Sequence, residues 1–366
     1  MCTMSPQDRT YPLRKPKNHR LPVPRYTLEL KEDIGKVYTL YIGVQEHTTH
    51  EKGKNAAAHV IEAIHDIFQG NTEHPVYETF THIEGQDAQK ATIWVCYWTS
   101  VENYNRFLSA LNVQTIYFSL PADSRSFIGL WLETFSTSKT RLETNYSGLD
   151  YLPGLARLPN TTTKEHDLAT YWGAARDRIP DSAHDLFPSV NQAKRLVSAP
   201  SGIGQYNKGT NPSNMVHIRS GQFWENCTQE ETEAYEQKLE PALRGGLQWL
   251  REYPDESGAS AVRYLRNTSS PLSAPQETQR KETCGAAFFR NLADLEKWAK
   301  SHKSHLAIYG GALKHYKAFP ENRMMRTWHE VSVLREGEAR FEYVNCLPGT
   351  GVLGDVEMEV TTLEKH

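Results

Sequence analysis

Several protein classes are excluded by what this sequence lacks. No stretch of the 366-residue chain approaches the roughly 18 to 20 consecutive apolar residues of a membrane helix, so no membrane partner is expected. There is no excess of either sign of charge: 41 Lys and Arg stand against 44 Asp and Glu, for a net charge of -3. That balance offers nucleic acid no electrostatic foothold and suits a small neutral substrate. Cysteine is sparse. Cys2, Cys96, Cys227, Cys284 and Cys346 are scattered, odd in number and without a CxxC pair, which argues against a disulfide framework and against a zinc or iron–sulfur site. A reduced, cytoplasmic compartment is the simplest reading. Residues 1–26 have no apolar core of a secretory signal, and Pro6, Pro12, Pro16, Pro22 and Pro24 forbid the amphipathic helix of a transit peptide. They read as an extended arm lying on a neighbouring surface, or as disordered.

What is present is the composition of a globular protein, with 38% hydrophobic and 23% charged residues. Val37–Gln45 is rich in β-branched and aromatic residues and reads as a strand. Apolar residues at helical spacing follow over Asn55–Phe68, then two strands at Tyr77–Ile83 and Ala91–Trp98, and a helix capped by Ser100 and running to about Ala110. The same order returns later. A strand at Asn214–Gln222 leads to a long helix from Thr228 to about Tyr253, where Glu231 is placed to complete a capping box. Strands at Ala259–Arg266 and Thr283–Phe289 and a helix over Asn291–Lys300 come next. Tyr97-Trp98 followed by Val101, Tyr104 and Phe107 lines up with Phe288-Phe289 followed by Leu292, Leu295 and Trp298. Ile42-Gly-Val-Gln45 likewise resembles Ile218-Arg-Ser-Gly-Gln222, with one residue inserted.

The expected fold is therefore α+β, with two fused ferredoxin-like β-α-β-β-α repeats forming an α/β barrel around a central cavity. The second repeat is completed by a late strand at Arg326–Leu334. The expected divisions are an arm at 1–26 and a single domain at 27–366. The domain comprises repeat one at about 37–111, an insertion at about 112–210 that lines or covers the cavity, repeat two at about 211–334, and a tail at 335–366.

Two histidine segments could carry chemistry. In Ser301-His-Lys-Ser-His305, His302 and His305 are three apart, which places them on neighbouring faces of a helix continuing through Leu313 and His315. An HxxH pair without the glutamate of HExxH supports a zinc hydrolase only weakly. His305 alone reads equally as a structural residue or as a neutral axial ligand to haem iron. In Thr327-Trp-His-Glu-Val-Ser-Val-Leu334, strand alternation puts His329 on one face with Val331 and Val333, towards a buried apolar space. By itself that is a buried neutral histidine more readily than a general acid/base. Ser220 has no GxSxG elbow and reads as a hydrogen-bond donor rather than a nucleophile. Arg176 and Arg178 suit a surface ion pair or an anion such as a haem propionate. Glu143 is either a solvated charge or a buried partner for one of them.

In their order, Tyr171-Trp-Gly-x-x-Arg-Asp-Arg-Ile-Pro180, Ile218-Arg-Ser-Gly-Gln222, Ser301-His-x-x-His-Leu-x-Ile308 and Trp328-His-Glu-Val-Ser-Val333 resemble the haem-containing aldoxime dehydratase family. The tail Glu342–Gly351 resembles it too, and Tyr41–Gln45 does so more loosely. The resemblance implies conversion of an aldoxime, R–CH=N–OH, to a nitrile and water on ferrous haem b within the central cavity. Matched residue by residue, His305 is the implied axial ligand and His329 the distal acid/base. Ser220 is the implied donor to the oxime hydroxyl and Arg178 the catalytic arginine, with Arg176 two residues away. Glu143 stands where the family has an acidic residue. A homodimer is expected by analogy with related barrels. The competing readings are a haem peroxidase or oxygenase on a related barrel, a haem carrier or sensor without turnover, and a haem-free interaction protein.

Overall fold

The computed structural model describes residues 9–70, 74–188, 199–269 and 280–363. Residues 1–8, with Cys2, lie outside them. Fourteen strands among the described residues make one antiparallel sheet: β1 (Tyr26–Leu30), β2 (Lys36–Glu46), β3 (Val76–Gly85), β4 (Thr92–Trp98), β5 (Ile128–Ser138), β6 (Leu142–Tyr146), β7 (Thr161–Glu165), β8 (Gln205–Thr210), β9 (Met215–Phe223), β10 (Ala259–Asn267), β11 (Glu282–Phe289), β12 (Arg326–Leu334), β13 (Ala339–Val344) and β14 (Met358–Thr362). The first-half helices are α1 (Glu51–Gly70), α2 (Val101–Ala110), α3 (Val113–Ser119) and α4 (Ala174–Arg178). The second-half helices are α5 (Gln229–Ala234), α6 (Glu240–Glu252), α7 (Pro254–Ser257), α8 (Leu292–Ser301) and α9 (Lys303–Ala318). None is long and apolar enough to cross a membrane.

The middle of the sheet runs β5-β2-β4-β3-β10-β11-β9-β12, a palindrome of chain order in which each half repeats the other. Ile128–Ser138, placed by sequence within an insertion, is thus the counterpart of β12. It pairs with β2 along its whole length, as β12 pairs with β9. The halves share a packing detail that needs glycine. Gly43 on β2 lies under the indole of Trp131 on β5, and Gly221 on β9 lies under that of Trp328 on β12. A Cβ at either glycine would fall inside the ring.

The sheet curls on itself, because side chains of strands five apart in the order meet. Tyr97 on β4 donates a hydrogen bond to Glu330 on β12 (2.8 Å) and accepts one from Arg219 on β9 (2.6 Å). Arg219 also donates to Glu78 (2.6 Å), and Arg263 grips Glu133 through two bonds of 2.7 Å. These groups, with Trp131, Phe288 and Trp328, fill the space inside the curl. The open cavity expected at that centre instead lies on the opposite face of the sheet, under α6, α8 and α9. Alternation along β12 decides which side chain goes where. Trp328 and Leu334 join the inner core, whereas Val331 and Val333 pack with Leu247, Leu250, Leu292 and Leu295 beneath the helices.

Two local expectations change. The Thr228 hydroxyl does accept from the Glu231 N–H (3.3 Å), but Glu231 does not reach back to close a capping box. Its buried carboxylate accepts from His315 Nε2 (3.1 Å) on α9 and from the N–H groups of Met324 (2.9 Å) and Met325 (3.0 Å), just ahead of β12. The helix over 229–252 also carries a π turn at Tyr235–Leu239, next to Pro241, whose missing N–H cannot close an ordinary helical bond. His302, expected on the same helix as His305, caps α9 from outside through Ser304.

Candidate active site

Three neighbouring strands, β6, β12 and β9, form the floor of the site. Their register sets His329 directly opposite Ser220 on one side and Asn145 on the other. Glu143 lies two residues back along β6, opposite Val331. Arg178 enters from the end of α4, which follows Gly173, a position with φ of 97° that L side chains rarely adopt. Arg178 Nε lies 3.0 Å from Glu143 Oε2, and Arg178 Nη2 lies 3.2 Å from Glu143 Oε1, the two-pronged match of guanidinium to carboxylate. His329 Nε2 is within reach of both, 2.9 Å from Glu143 Oε1 and 2.8 Å from Arg178 Nη2. The Glu143 side chain is 0% exposed and that of Arg178 5%, so their attraction acts in a medium far less polarisable than water. Burial by itself would raise the Glu143 pKa. Arg178 and His329 outweigh it and hold the carboxyl down at about 2. Arg176 turns the other way, pairing with Glu296 at 2.8 Å and donating to the Leu186 carbonyl at 2.7 Å.

His305 reaches the same space from α9. Its ring lies 4.7 Å from Trp298 and 6.2 Å from Trp172, centre to centre, both edge-on. Burial lowers its pKa to about 4, with the Ala299 carbonyl acting in the opposite sense, so the imidazole is neutral at ordinary pH and free to ligate a metal. Nδ1 is buried without a hydrogen-bond partner. His302 does not share the task; its ring stacks on Trp249 at 3.6 Å and bonds Ser304 at 2.8 Å.

His305 and His329 line two adjoining cavities that also share Ala175, Leu295 and Ala299, so the two are parts of one slot. The inner part, about 220 Å³, is walled by Ile218, Leu243, Leu247, Phe289 and Val331, with Ser220 as a polar point. The outer part, about 420 Å³, is edged by Arg14, Arg25, Lys300, Tyr171 and Tyr309. Among the described residues no group of three or more His, Cys, Asp or Glu side chains could hold a bare metal ion. An iron held by His305 must therefore bring most of its ligands with it. A flat macrocycle with an apolar body and an anionic edge matches both the donor set and the division of the slot.

One neutral imidazole from a helix, facing a His–Glu pair on the sheet and an arginine from α4 across an amphipathic slot, is an arrangement suited to a haem enzyme. The chain belongs to the haem-containing dehydratase family, which it matches over residues 40–352, and its cofactor is haem. It is 29% identical over 340 residues to a phenylacetaldoxime dehydratase of Bacillus sp. (strain OxB-1), covering 92% of this chain and 93% of that one. It is 27% identical over 355 residues to an aliphatic aldoxime dehydratase of Pseudomonas chlororaphis, covering 96% and 97%. A crystal structure of an aldoxime dehydratase in complex with butyraldoxime superposes with a TM-score of 0.78 at 25% identity, covering 96% of this chain and 94% of that one.

Of the residues picked out in the sequence, His305, His329, Ser220, Arg178 and Glu143 line this slot, whereas Arg176 and His302 turn to Glu296 and Trp249. Sequence reasoning missed Asn145, His166 and Arg25. His166 Nε2 lies 3.1 Å from Asn145 Oδ1 at the back of the cluster. Burial, with the charge of Arg178, lowers its pKa to about 4. No motif marks these residues, since they matter through strand register and long-range packing.

Proposed function

We propose that this chain dehydrates aldoximes, R–CH=N–OH, to nitriles and water, with His305 as the residue that would hold the iron of haem b in its ferrous state. The observation that carries the reading is the tie of His329 to Glu143 and Arg178 beside Ser220, facing the cavity that His305 also faces. When bound, the haem would supply an electron-rich iron able to weaken the N–O bond of the oxime.

Hydroxide is a poor leaving group, so the departing oxygen needs a proton. His329 as imidazolium delivers it, and the Ser220 hydroxyl, one strand away, holds the oxygen. Glu143 stays ionised down to about pH 2 and accepts the His329 Nε2–H, which leaves Nδ1 to exchange protons with the substrate. Having released its proton to form water, neutral Nδ1 takes the hydrogen from the aldoxime carbon as a proton, completing the C≡N bond. One residue acts as acid and then as base. Arg178 keeps Glu143 in place and adds positive charge beside His329.

The mirrored strand order and the matched Gly43–Trp131 and Gly221–Trp328 pairs support reading the chain as two fused ferredoxin-like repeats closed into a barrel. With β5 counted in, the first repeat would run to residue 138 and the insertion would shrink accordingly. The free Cys96, Cys227, Cys284 and Cys346 support a cytoplasmic setting, and the near-neutral charge supports a small substrate rather than nucleic acid or a membrane as partner. A homodimer is part of the proposal.

The test is anaerobic turnover of phenylacetaldoxime and butyraldoxime, with nitrile quantified by gas chromatography. Dithionite-reduced protein should form nitrile and ferric protein should form almost none. His329→Ala should keep the haem absorption and lose about 10²- to 10⁴-fold in kcat, the usual contribution of a positioned acid/base. Near-normal turnover by that variant, or equal activity of ferric protein, overturns the proposal.

A further inference from the structure

We infer that the arm ahead of β1 is part of the cofactor site, and that Arg25 is the anchor for a haem carboxylate. This rests on haem occupying the slot as proposed above. Besides Arg178, which pairs with Glu143, five arginines are buried among the described residues: Arg25, Arg141, Arg176, Arg219 and Arg263. Four of them face a carboxylate, at 3.9 Å for Arg141 and Asp185, 2.8 Å for Arg176 and Glu296, 2.6 Å for Arg219 and Glu78, and 2.7 Å for Arg263 and Glu133. Arg25 is the exception. It is 5% exposed, Nη2 donates to the Tyr316 hydroxyl on α9 at 2.8 Å, and Nε is buried with no partner.

A buried cation without an anion, and a buried N–H without an acceptor, are both costly. Arg25 lines the outer part of the slot with Asn145, Tyr309 and His329, where a ligand can relieve both costs. The ligand must bring its own carboxylate, and haem carries two on one edge. The apolar inner part of the slot takes the remainder of the ring, so the propionate edge falls at the polar mouth.

The arm is held to deliver this residue. Tyr11 N–H donates to the Ala183 carbonyl (3.0 Å), Arg14 N–H to Asp177 (2.8 Å), and His19 Nε2 lies 2.7 Å from the Ala169 carbonyl. The Arg25 carbonyl accepts from His166 N–H (3.0 Å). Residues 9–25 are thereby strapped across Ala169–Ala183, the segment that carries Arg178 to the catalytic cluster. Arm and catalytic arginine close the same side of the slot.

The experiment compares release of haem and of haem dimethyl ester, which lacks both carboxylates, from loaded full-length protein to excess apomyoglobin, followed by Soret absorbance. Wild type should lose the ester roughly 10- to 100-fold faster than haem, as expected for one buried charge-assisted pair. Arg25→Gln should speed haem loss by a similar factor and leave ester loss unchanged, so that the two rates converge. Arg25→Lys should restore part of the preference. Tyr316→Phe, which removes the other partner of Arg25, should leave the wild-type ratio intact. Equal acceleration of both porphyrins in Arg25→Gln would show a merely structural role and overturn the inference, as would unchanged rates or a wild type that does not discriminate. A wild type that takes up neither porphyrin sinks the haem slot itself, and this inference with it.

Discussion

Replacing Glu143 by Gln removes the carboxylate that Arg178 and His329 share while keeping its size. The Glu143 pKa falls from an ordinary 4.5 to about 2 in the folded chain. At about 1.4 kcal/mol per unit, the ionised form is favoured by folding by roughly 3 kcal/mol. Because the folded pKa is the lower one, this stabilisation is fully present above pH 4.5 and fades as the pH falls towards 2. The same size follows from the other side of the interaction. Stripping a buried arginine of its counterion costs about 3–5 kcal/mol. Urea denaturation of haem-loaded wild type and Glu143→Gln should thus show a gap of roughly 3 kcal/mol at pH 7, shrinking by about half by pH 3. In turnover, the variant loses the acceptor that fixes the His329 tautomer. Where a carboxylate orients a catalytic histidine in serine proteases, the matching change costs about 10⁴-fold in kcat, and a loss of about 10²- to 10⁴-fold is expected here with KM nearly unchanged. Haem content should stay normal, since His305 stands on another element. A gap that is absent at pH 7, or that does not change with pH, refutes the electrostatic argument. Full activity refutes the catalytic one.

His305→Ala should yield haem-poor protein with an unchanged far-ultraviolet circular dichroism spectrum, and added imidazole should restore a Soret band; full haem occupancy without imidazole would exclude His305 as the ligand. Gly43→Ala and Gly221→Ala each drive a methyl into a tryptophan ring and should cost about 1–3 kcal/mol or more in urea denaturation. Only Gly221→Ala should also depress kcat, because Trp328 adjoins His329 on β12; equal kcat losses in the two variants would contradict that.

The longer strands and helices of both halves of the chain were legible because their side-chain periods differ, two for the pleat and 3.6 for the helix. β5 escaped notice because it runs on from the turn at Pro121–Ser124 in a chain region without a repeating pattern. The short strands β1, β6, β7, β8, β13 and β14 show too few alternations to be recognised alone. Glu231 was misread for a related reason. A Thr-x-x-Glu spacing is a local signal, and the bonds to His315, Met324 and Met325 that claimed the carboxylate come from 84 to 94 residues away.

For the site, the chemistry-bearing side chains were visible as an ordered set of motifs, and their placement was not. Spacing put His305 and His302 on one helix, yet the break at His302 turned one ring to Trp249 and the other to the slot. Two arginines two residues apart could not be told apart by sequence, whereas the fold gives Arg178 to Glu143 and Arg176 to Glu296.

By itself, then, the sequence determined the class of fold, the alternation that sends His329 away from the core of tryptophans, and the residues able to ligate iron or move protons. These are local properties, set by side-chain type and period. Only the tertiary structure decided that the cavity lies outside the curl of the sheet, that Glu143 is ionised by its neighbours, and that Arg25 stands buried at the mouth of the slot without an anion. Each depends on contacts between segments far apart in the chain, and the His329–Glu143 cluster on strand register in particular, where a slip of one residue would turn every side chain of β12 to the opposite face.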